Sequence, residues 1–320
     1  MTGETVDVSV KGQVVTMQAL DLNGSTVVIR GRWLRVAAIH DEDWVEAEPR
    51  ALVSALAQLK ARPDGPGADL FTFAQKLPDT TPQHAFPMVL ESVAAIRLSG
   101  YEAWLTRLSR DARADVRKAD KRGVVVRESP FDDDLVNGIR AIYNESPIRQ
   151  DRHFWHYGKA FEAVKRENAP YLRRSVFLGA YAANELIGFL KVVRVGSLGV
   201  MMQFLSKISH HDRRASNALI AGAVDHCSRH GMSYLIYGKY RYGKQENSLT
   251  RFKHRAGFEE FLVPRFYVPL TWKGSICVRA GLHRDLRDAM PAWLTRGVGS
   301  LKGVYLRYRA SQRAGGAQGW

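Results

Sequence analysis

The sequence is poor in cysteine and has no long apolar run. Only two cysteines, Cys227 and Cys277, occur in 320 residues, which excludes a disulfide framework and a zinc ribbon and suits a reducing compartment. No apolar run approaches the roughly 18 residues that a membrane span requires. The first residues, Met-Thr-Gly-Glu, lack the basic and apolar regions of a signal peptide. A cytoplasmic location is therefore expected.

Acidic residues are scarce relative to basic ones. The chain has 47 Lys and Arg against 32 Asp and Glu, a formal net charge of +15. Residues 271–320 alone hold nine Lys or Arg and two Asp. This excess favours an anionic partner, and the charge alone leaves nucleic acid, a phosphorylated cofactor and an anionic membrane surface open. The apolar fraction of 45% is that of an ordinary globular protein.

Apolar periodicity and turn signals divide the chain into three parts. Residues 1–98 are expected to form a small α+β domain of short strands with a helix at Ala51–Lys60. Residues 99–271 show one helix and then the order β-αα-βββ-α-β-α-β, which indicates an α/β domain with a mixed sheet. Residues 272–320 are expected to form a basic helical extension, in which Met290–Arg309 has the composition of an amphipathic helix. Such a helix would pack on the transferase domain with its charges in water, the favoured interpretation, or lie on an anionic membrane.

Terminal glycines and apolar spacing set the boundaries within the second part. The predicted helices are Tyr101–Arg122, Asp132–Tyr143, Phe154–Glu167, Arg214–His230 and Ser248–Ala256, and the predicted strands are Val124–Glu128, Ser175–Tyr181, Glu185–Val195, Leu198–Ser206, Ser233–Tyr237 and a pair within Glu260–Thr271. One side of the first helix is dense in charge. That pattern indicates either a solvated face with i,i+3 and i,i+4 ion pairs or an anion-binding surface.

Two loops carry residues suited to ligands. Asn144–Lys159 is rich in Arg, His, Trp and Tyr, as a ligand-facing loop is, although its aromatic residues would equally anchor the following helix in the core. Its candidate site residues are Glu145, Arg149, Arg152, His156 and Tyr157, with Glu145 or His156 as general base. In Tyr237–Lys244 aromatic and basic residues alternate, so Tyr237 and Tyr240 are candidates to stack on bases beside phosphate-binding cations. A solvated turn with packed tyrosines is the alternative.

A metal site is not expected. His226 and His230 stand four residues apart on a predicted helix, but the sequence offers no convincing third ligand near them.

Three segments of residues 100–270 carry a family resemblance. They are residues 108–124 (LSRDARADVRKADKRGV), the hairpin Phe177–Val195 with its core ANELIGF, and Asn247–Phe258 (NSLTRFKHRAGF). In this order they resemble the Gcn5-related N-acetyltransferase (GNAT) fold and, more closely, its FemAB-type aminoacyltransferase branch. The resemblance implies an acyl or aminoacyl transferase.

The resemblance also implies a donor site. GNAT members that use acetyl-CoA carry Arg/Gln-x-x-Gly-x-Gly/Ala, whose backbone amides and helix N-terminus bind the pyrophosphate. The matching stretch is Arg213–Ala218, in which Ser216 replaces the central glycine. The cofactor-binding residues implied are Gln203, Ser206, His211, Arg213, Arg214, Ser216, Asn217 and Asn247. Simple helix capping by Ser216 and Asn217 is the alternative.

Two further roles follow from the resemblance. Backbone amides around Gln203–Ser206 would polarise the thioester or ester carbonyl. Many acetyltransferases have a tyrosine as general acid four residues before the Gly-Phe pair, where this chain has Lys253. A lysine is what the FemAB-type branch suggests there, and its charge would stabilise an acyl oxygen. An exposed helix lysine is the alternative.

The sequence therefore predicts a GNAT-fold transferase in which an acceptor amine attacks an activated acyl group directly. The altered loop disfavours acetyl-CoA or another acyl-CoA as donor, and the basic charge suits aminoacyl-tRNA, but both stay open. FemAB-type enzymes generally use two GNAT units, so residues 1–98 are a candidate reduced copy. The alternative is a non-catalytic GNAT-like scaffold that binds nucleic acid or, through residues 272–320, an anionic membrane surface. The acceptor and the oligomeric state are not indicated.

Overall fold

A computed structural model of the chain describes residues 4–10, 13–22, 25–31, 33–46, 53, 67–149, 151–241 and 248–283. Most of the predicted helix Ala51–Lys60, the candidate Asn247 and the extension beyond His283 lie outside the described residues. None of the described helices is long and apolar enough to cross a membrane.

The described residues form alternating short strands and helices. The strands are β1 (Glu4–Val10), β2 (Gln13–Leu22), β3 (Ser25–Arg30), β4 (Val36–Ile39), β5 (Leu70–Ala74), β6 (Met88–Arg97), β7 (Val124–Ser129), β8 (Ile148–Arg149), β9 (Arg152–His153), β10 (Ser175–Ala182), β11 (Glu185–Val195), β12 (Leu198–Ser206), β13 (Tyr234–Lys239) and β14 (Glu259–Pro269). The helices are α1 (Tyr101–Arg107), α2 (Arg110–Lys121), α3 (Asp133–Tyr143), α4 (Phe161–Asn168), α5 (Ala215–Arg229), α6 (Ser248–Arg255) and α7 (Trp272–Arg279).

Within the described residues, twelve strands form one mixed sheet, in the order β1-β2-β3-β4-β5-β14-β6-β13-β12-β11-β10-β7, and β8 and β9 pair with each other. The pairs β4–β5 and β12–β13 are parallel, and the other neighbours in this sheet are antiparallel. The sequence of pairings is therefore the same from either edge to the centre. At the centre β6 pairs with β13, and β14 pairs with β5. The predicted α/β architecture with a mixed sheet is confirmed.

The centre of the sheet holds the element that the sequence does not predict. No strand is expected at Met88–Arg97, yet β6 occupies this segment and pairs with β13 and β14. The strand pair predicted within Glu260–Thr271 is wrong, because the single long strand β14 covers Glu259–Pro269.

Two predicted helices also differ from the structure. The predicted helix Tyr101–Arg122 is broken, because Leu108 is extended and Ser109 begins a new helix by accepting a hydrogen bond from the Ala112 amide (3.2 Å). The predicted helix Phe154–Glu167 begins only at Phe161, and a short hairpin, β8–β9, precedes it.

Alternate side chains of β11 divide the core into two faces. Leu190 packs in a cluster with residues of α1, α2, α5 and α6, and this side is called the α5 face. Phe189 packs in a cluster with residues of α3 and α4, and this side is called the α3 face. Near the sheet centre the α3 face continues through a third cluster that includes Val193, Ala95 and Val263.

The charges of α2 reach out to neighbouring elements. Asp115 pairs with Arg214 (3.0 Å, Nε to Oδ1) and with Arg255 (2.8 Å, Nη2 to Oδ2), and Arg122 pairs with Asp212. No ion pair joins two residues of α2, which the structure describes throughout. The exposed basic residues that this arrangement leaves at the surface are Arg110, Arg117 and Lys121.

Candidate functional site

The parallel strands β12 and β13 separate after a short common stretch. They pair only from Leu198 to Val200, although β12 continues to Ser206. On the other side β12 stays paired with β11 through Ser206, and the Lys207 amide then donates to Ile187 (2.8 Å). A gap therefore opens between β12 and β13, toward their carboxyl ends.

Two backbone amides of β12 point into this gap. Since successive residues of a strand direct their N–H groups to opposite sides, the bond from Lys207 to β11 sets the amides of Phe204 and Ser206 toward the gap. Neither amide has a hydrogen-bond partner among the described residues. Of the stretch Gln203–Ser206 that the sequence predicts to polarise a carbonyl, these two amides are therefore the ones that face the gap.

Aromatic rings occupy the α5 face of the gap. Phe204 on β12 meets Tyr237 on β13 edge to face, with ring centroids 5.6 Å apart. Phe252 of α6 stacks on Phe204 at 6.1 Å. The rings bridge the strands where their backbones diverge.

The predicted donor loop leads from this gap into α5. His211–Arg213 form one 3-10 turn, and Arg214 has φ 59° immediately before the helix. The Ser216 hydroxyl lies 2.9 Å from that of Ser206, so the residue that replaces the expected glycine joins the helix to the end of β12. His211 is exposed, and Asn217 is partly buried in the first turn.

Arg213 and Arg214 are turned toward α2. The Arg213 guanidinium donates to the Arg122 carbonyl (2.8 Å), and Arg214 forms its ion pair with Asp115. Both arginines therefore hold the donor loop against the basic helix, and their side chains do not extend freely into solvent.

Glu145 fixes the first residues of the same loop. Its carboxylate accepts hydrogen bonds from the amides of Ile208 (2.6 Å) and Ser209 (2.8 Å), from the Ser209 hydroxyl (2.6 Å), and from Arg149 (3.0 Å). Although burial opposes ionisation, these hydrogen bonds hold the pKa of Glu145 below its ordinary value. Such a carboxylate is poorly placed to take a proton from a substrate.

Arg149 joins the predicted lid to the gap. It donates to the Ser206 carbonyl (2.8 Å) and to the Ile142 carbonyl (3.0 Å), and so ties hairpin β8–β9 to the end of β12. Tyr157 is exposed on the same loop, and Arg152 lies in β9. Of these three residues, Arg149 is the one with a contact to β12 among the described residues.

His156 is enclosed by aromatic rings. It is buried, with ring centroids 3.4 Å from Trp155 and 4.1 Å from Tyr143. Its Nδ1 lies 3.4 Å from Glu167 Oε2. Burial lowers the pKa of His156 and favours the neutral imidazole.

Lys253 is fully buried beneath β13. Its ammonium donates to the carbonyls of Tyr237 (2.8 Å) and Lys239 (2.5 Å), and it lies 4.4 Å from the centre of the Tyr237 ring. Desolvation lowers the pKa of Lys253 to about 8. Lys253 thus holds the free edge of β13, and the buried Tyr240 follows that strand.

A charged cluster that the sequence does not predict lies on the α3 face at the sheet centre. Arg265 of β14 donates to Glu42 (2.7 Å, Nη2 to Oε2) and pairs with Glu91 of β6 (2.9 Å, Nε to Oε1). Glu42 also accepts from the Ala74 amide (2.5 Å), and Lys239 lies 3.6 Å from Glu91. The acidic run at residues 41–46 is the sequence signal for this cluster. It does not identify the partner of Glu42, because Arg265 is 223 residues away along the chain.

Comparisons with known proteins address the fold. No family model and no curated protein matches the chain. Its structure is similar to FemX, with a TM-score of 0.53 and 11% identity over 82% of this chain and 87% of that chain. It is also similar to a C-terminal domain assigned to a lysylphosphatidylglycerol synthetase of Agrobacterium fabrum, with a TM-score of 0.53 and 10% identity over 83% and 87% of the two chains. The fold that the sequence resemblance predicts is therefore confirmed, as a fold that the chain shares with FemX and with this domain.

Proposed function

We propose that the protein is an acyl- or aminoacyltransferase in which an acceptor amine attacks an activated acyl group held between β12 and β13. The observation that carries this proposal is the pair of unpartnered amides, Phe204 and Ser206, at a gap beside the start of α5. Preorganised N–H donors of this kind stabilise the negative charge that develops on an acyl oxygen.

The proposed reaction needs no covalent enzyme intermediate. The acyl oxygen accepts from the Phe204 or Ser206 amide, while the acceptor amine enters from the α3 face. Holding both reactants in one cleft supplies much of the acceleration. Of the three side chains predicted to be catalytic, Glu145 and Lys253 support the loop and strand around the cleft, and His156 is buried between Trp155 and Tyr143.

Aminoacyl-tRNA is the donor that the surface favours. The donor loop is bonded to α2 through Arg213 and Arg214, so the exposed Arg117 and Lys121 lie on the helix that adjoins it. An extended basic surface suits the repeated phosphates of an RNA better than a single pyrophosphate. The rings of Phe204 and Tyr237 also fill the α5 side of the gap, which an acyl-CoA would have to enter.

A transfer assay with two donor arms tests the proposal. The full chain is incubated with radiolabelled aminoacyl-tRNA or radiolabelled acetyl-CoA, and with spermidine, a lysine-containing dipeptide or hydroxylamine as acceptor. We expect a stable amide or hydroxamate from the aminoacyl-tRNA arm. Product from acetyl-CoA alone would move the donor assignment to acyl-CoA. Salt-dependent tRNA binding without product from either donor would contradict the enzyme and support a non-catalytic scaffold.

Charge reversal on α2 tests the donor surface. The double variant Arg117→Glu, Lys121→Glu should weaken tRNA binding at least about tenfold and flatten its dependence on salt, because each lost phosphate contact removes counterion release. Filter binding across a salt series measures both effects. The matched control is Arg140→Glu, an exposed arginine of α3 on the other face of the sheet. Equal losses in the variant and the control would contradict the assignment of α2.

A further inference from the structure

The N-terminal half of the chain contributes a turn to the cleft. Glu42–Trp44 form a 3-10 turn after β4, defined here as the carboxylate turn. Trp44 packs against the same cluster of the α3 face as Met202 of β12 and Ile236 of β13. Ile236 is the last residue of β13 that pairs with β12. The carboxylate turn therefore lies on the α3 face, against the cluster that includes residues of both strands of the gap.

Asp43 is the open carboxylate of this turn. It makes no hydrogen bond or ion pair within the described part of the chain, whereas Glu42 is bonded to Ala74 and Arg265. The Asp43 residue is exposed to solvent, yet the surrounding protein raises the pKa of its carboxyl by desolvation. Within the described residues, Asp43 is thus an exposed carboxylate that no cation or amide engages.

The charges around Asp43 are nearly balanced. The charged groups that face it are Glu42 on its own turn, Lys76 after β5, Glu91 on β6, Arg265 on β14 and Lys239 on β13. Arg265 is committed to both glutamates, and Lys76 donates to the Val45 carbonyl. The fixed groups therefore hold one another, and Asp43 is left to act on a molecule in the cleft.

We propose that Asp43 is the proton acceptor for the attacking amine, an inference that rests on the proposed transferase function. As the amine nitrogen bonds to the acyl carbon, its proton passes to the Asp43 carboxylate and the acyl oxygen takes up negative charge. The tetrahedral intermediate then collapses, the bond from the acyl carbon to the donor oxygen or sulfur breaks, and Asp43 returns the proton to that leaving atom. The products are an amide and the free carrier, with no oxidant or other reactant required.

Asp43 suits this step better than His156. The imidazole is packed between Trp155 and Tyr143, and no contact in the described residues places it against β12 or β13. Asp43 instead follows Glu42, which Arg265 anchors to the central strands. The sequence interpretation of His156 as general base and the present assignment of Asp43 thus make different predictions for two variants.

Asp43→Asn is the test, because the amide keeps the shape of the side chain but cannot take the proton. With the donor found active above and spermidine as acceptor, kcat should fall about 100-fold, as is typical for loss of a general base, while the KM for the donor stays unchanged. The acid limb of the pH profile of kcat should disappear with it. Hydroxylamine, a much weaker base that is already neutral at neutral pH, should lose far less rate than spermidine. His156→Gln should keep the acid limb.

The control is Glu46→Gln, the next carboxylate along the same segment, which instead binds the Gly196 amide (2.9 Å) and Arg174 (3.1 Å). It should retain transfer within about twofold of the parent, far from the loss that a missing general base causes. A folded Asp43→Asn variant with parental kcat and pH profile, or with equal losses for both amines, would overturn the assignment. Loss of the acid limb in His156→Gln alone would overturn it in favour of His156. If the parent transfers to no amine from either donor, the proposed function fails, and this inference fails with it.

Discussion

Two lysines of the described residues are buried and donate to backbone carbonyls. Lys191 of β11 donates to the carbonyls of Asn168 (2.8 Å) and Pro170, and Lys253 to those of Tyr237 and Lys239. Both are fully buried. Desolvation lowers the pKa of each to about 8, because a buried ammonium loses more hydration than carbonyl dipoles restore.

This burial predicts that stability rises with pH over a narrow interval. The unfolded lysines keep their protons up to about pH 10.4, whereas the folded ones release them from about 8. The unfolded state therefore binds more protons between these values, and the free energy of unfolding increases with pH. Above about pH 9 Cys227 opposes the trend, because burial raises its pKa to about 12.

Lys253→Met isolates one of these contributions. The variant should be less stable at neutral pH by about 1–3 kcal/mol, because the Tyr237 and Lys239 carbonyls lose their donor. The free energy of unfolding of the variant should also rise less steeply with pH than that of the parent, by up to about 1.4 kcal/mol per pH unit. Urea unfolding at pH values between about 7.5 and 9.5 measures both. Lys121→Met, an exposed control, should run parallel to the parent, and a parallel curve for Lys253→Met would contradict the assigned burial.

For single residues, the sequence predicts which side chains lie near the site better than it predicts what they do there. The sequence singles out both Lys253 and Glu145 by residue type and position. In the structure Lys253 donates to the Tyr237 carbonyl, and Glu145 accepts from amides 63 and 64 residues further along the chain. Which atoms a side chain meets depends on the tertiary fold, and periodicity along one element carries no information on it. Asp43 is missed for the same reason.

Among the elements, the segment between β12 and α5 is held from three sides. Glu145 caps its first residues, the hydroxyl of Ser206 meets that of Ser216 at its end, and Arg213 fastens it to α2. The segment is thus fixed before any donor binds, which lowers the entropy that ordering it would cost.

Glu145→Gln should loosen this segment in a pH-dependent way. The variant replaces charge-assisted bonds to the Ile208 and Ser209 amides, and we expect a loss of about 1–3 kcal/mol in the free energy of unfolding at neutral pH. Because the folded pKa of Glu145 is lowered, its contribution is present above the unfolded value and disappears as pH falls through the folded one. Thermal unfolding of parent and variant from neutral to acid pH should therefore converge.

The control for Glu145→Gln is a carboxylate that is exposed and that accepts no backbone amide bonds within the described residues. Glu162→Gln on α4 is exposed and should leave the unfolding temperature unchanged across the same pH range. A gap between the parent and Glu145→Gln that persists at acid pH would mean that shape, and not charge, holds the segment.

Element prediction fails here for identifiable reasons. β6 alternates weakly, since buried Ala94, Ala95 and Ile96 follow one another at the sheet centre, and a strand covered on both faces loses its period of two. The segment from Phe154 to Tyr157 is rich in aromatic residues, but residues 155–158 form turns, and the rings of Phe154 and Trp155 pack on His156. By contrast β10, β11 and β12 follow their predicted ranges closely, because tight turns bound each of them.

At the level of the whole molecule, the repeated order of strand pairings bears on what residues 1–98 are. From one edge, β1 to β5 and then β14 pair in the same parallel and antiparallel order as β7, β10 to β13 and then β6 do from the other edge. We propose on this basis that the N-terminal part is a reduced copy of the GNAT unit, with its last strand exchanged for that of the second copy. The carboxylate turn follows β4 in this copy, as the donor loop follows β12 in the other.

The exchange predicts that the two halves unfold together. β14 has β5 on one side and β6 on the other, and Arg265 on β14 bonds Glu42 and Glu91, so neither half can open without breaking the centre of the sheet. Differential scanning calorimetry of the full chain should show one transition with equal calorimetric and van 't Hoff enthalpies. Arg265→Met removes the cation that Glu42 and Glu91 share and leaves the half-buried Glu42 without its ion pair, so it should lower that single transition by several degrees without splitting it. Two resolved transitions in the parent would contradict the coupling, because they would require that β6 and β14 part while one half stays folded.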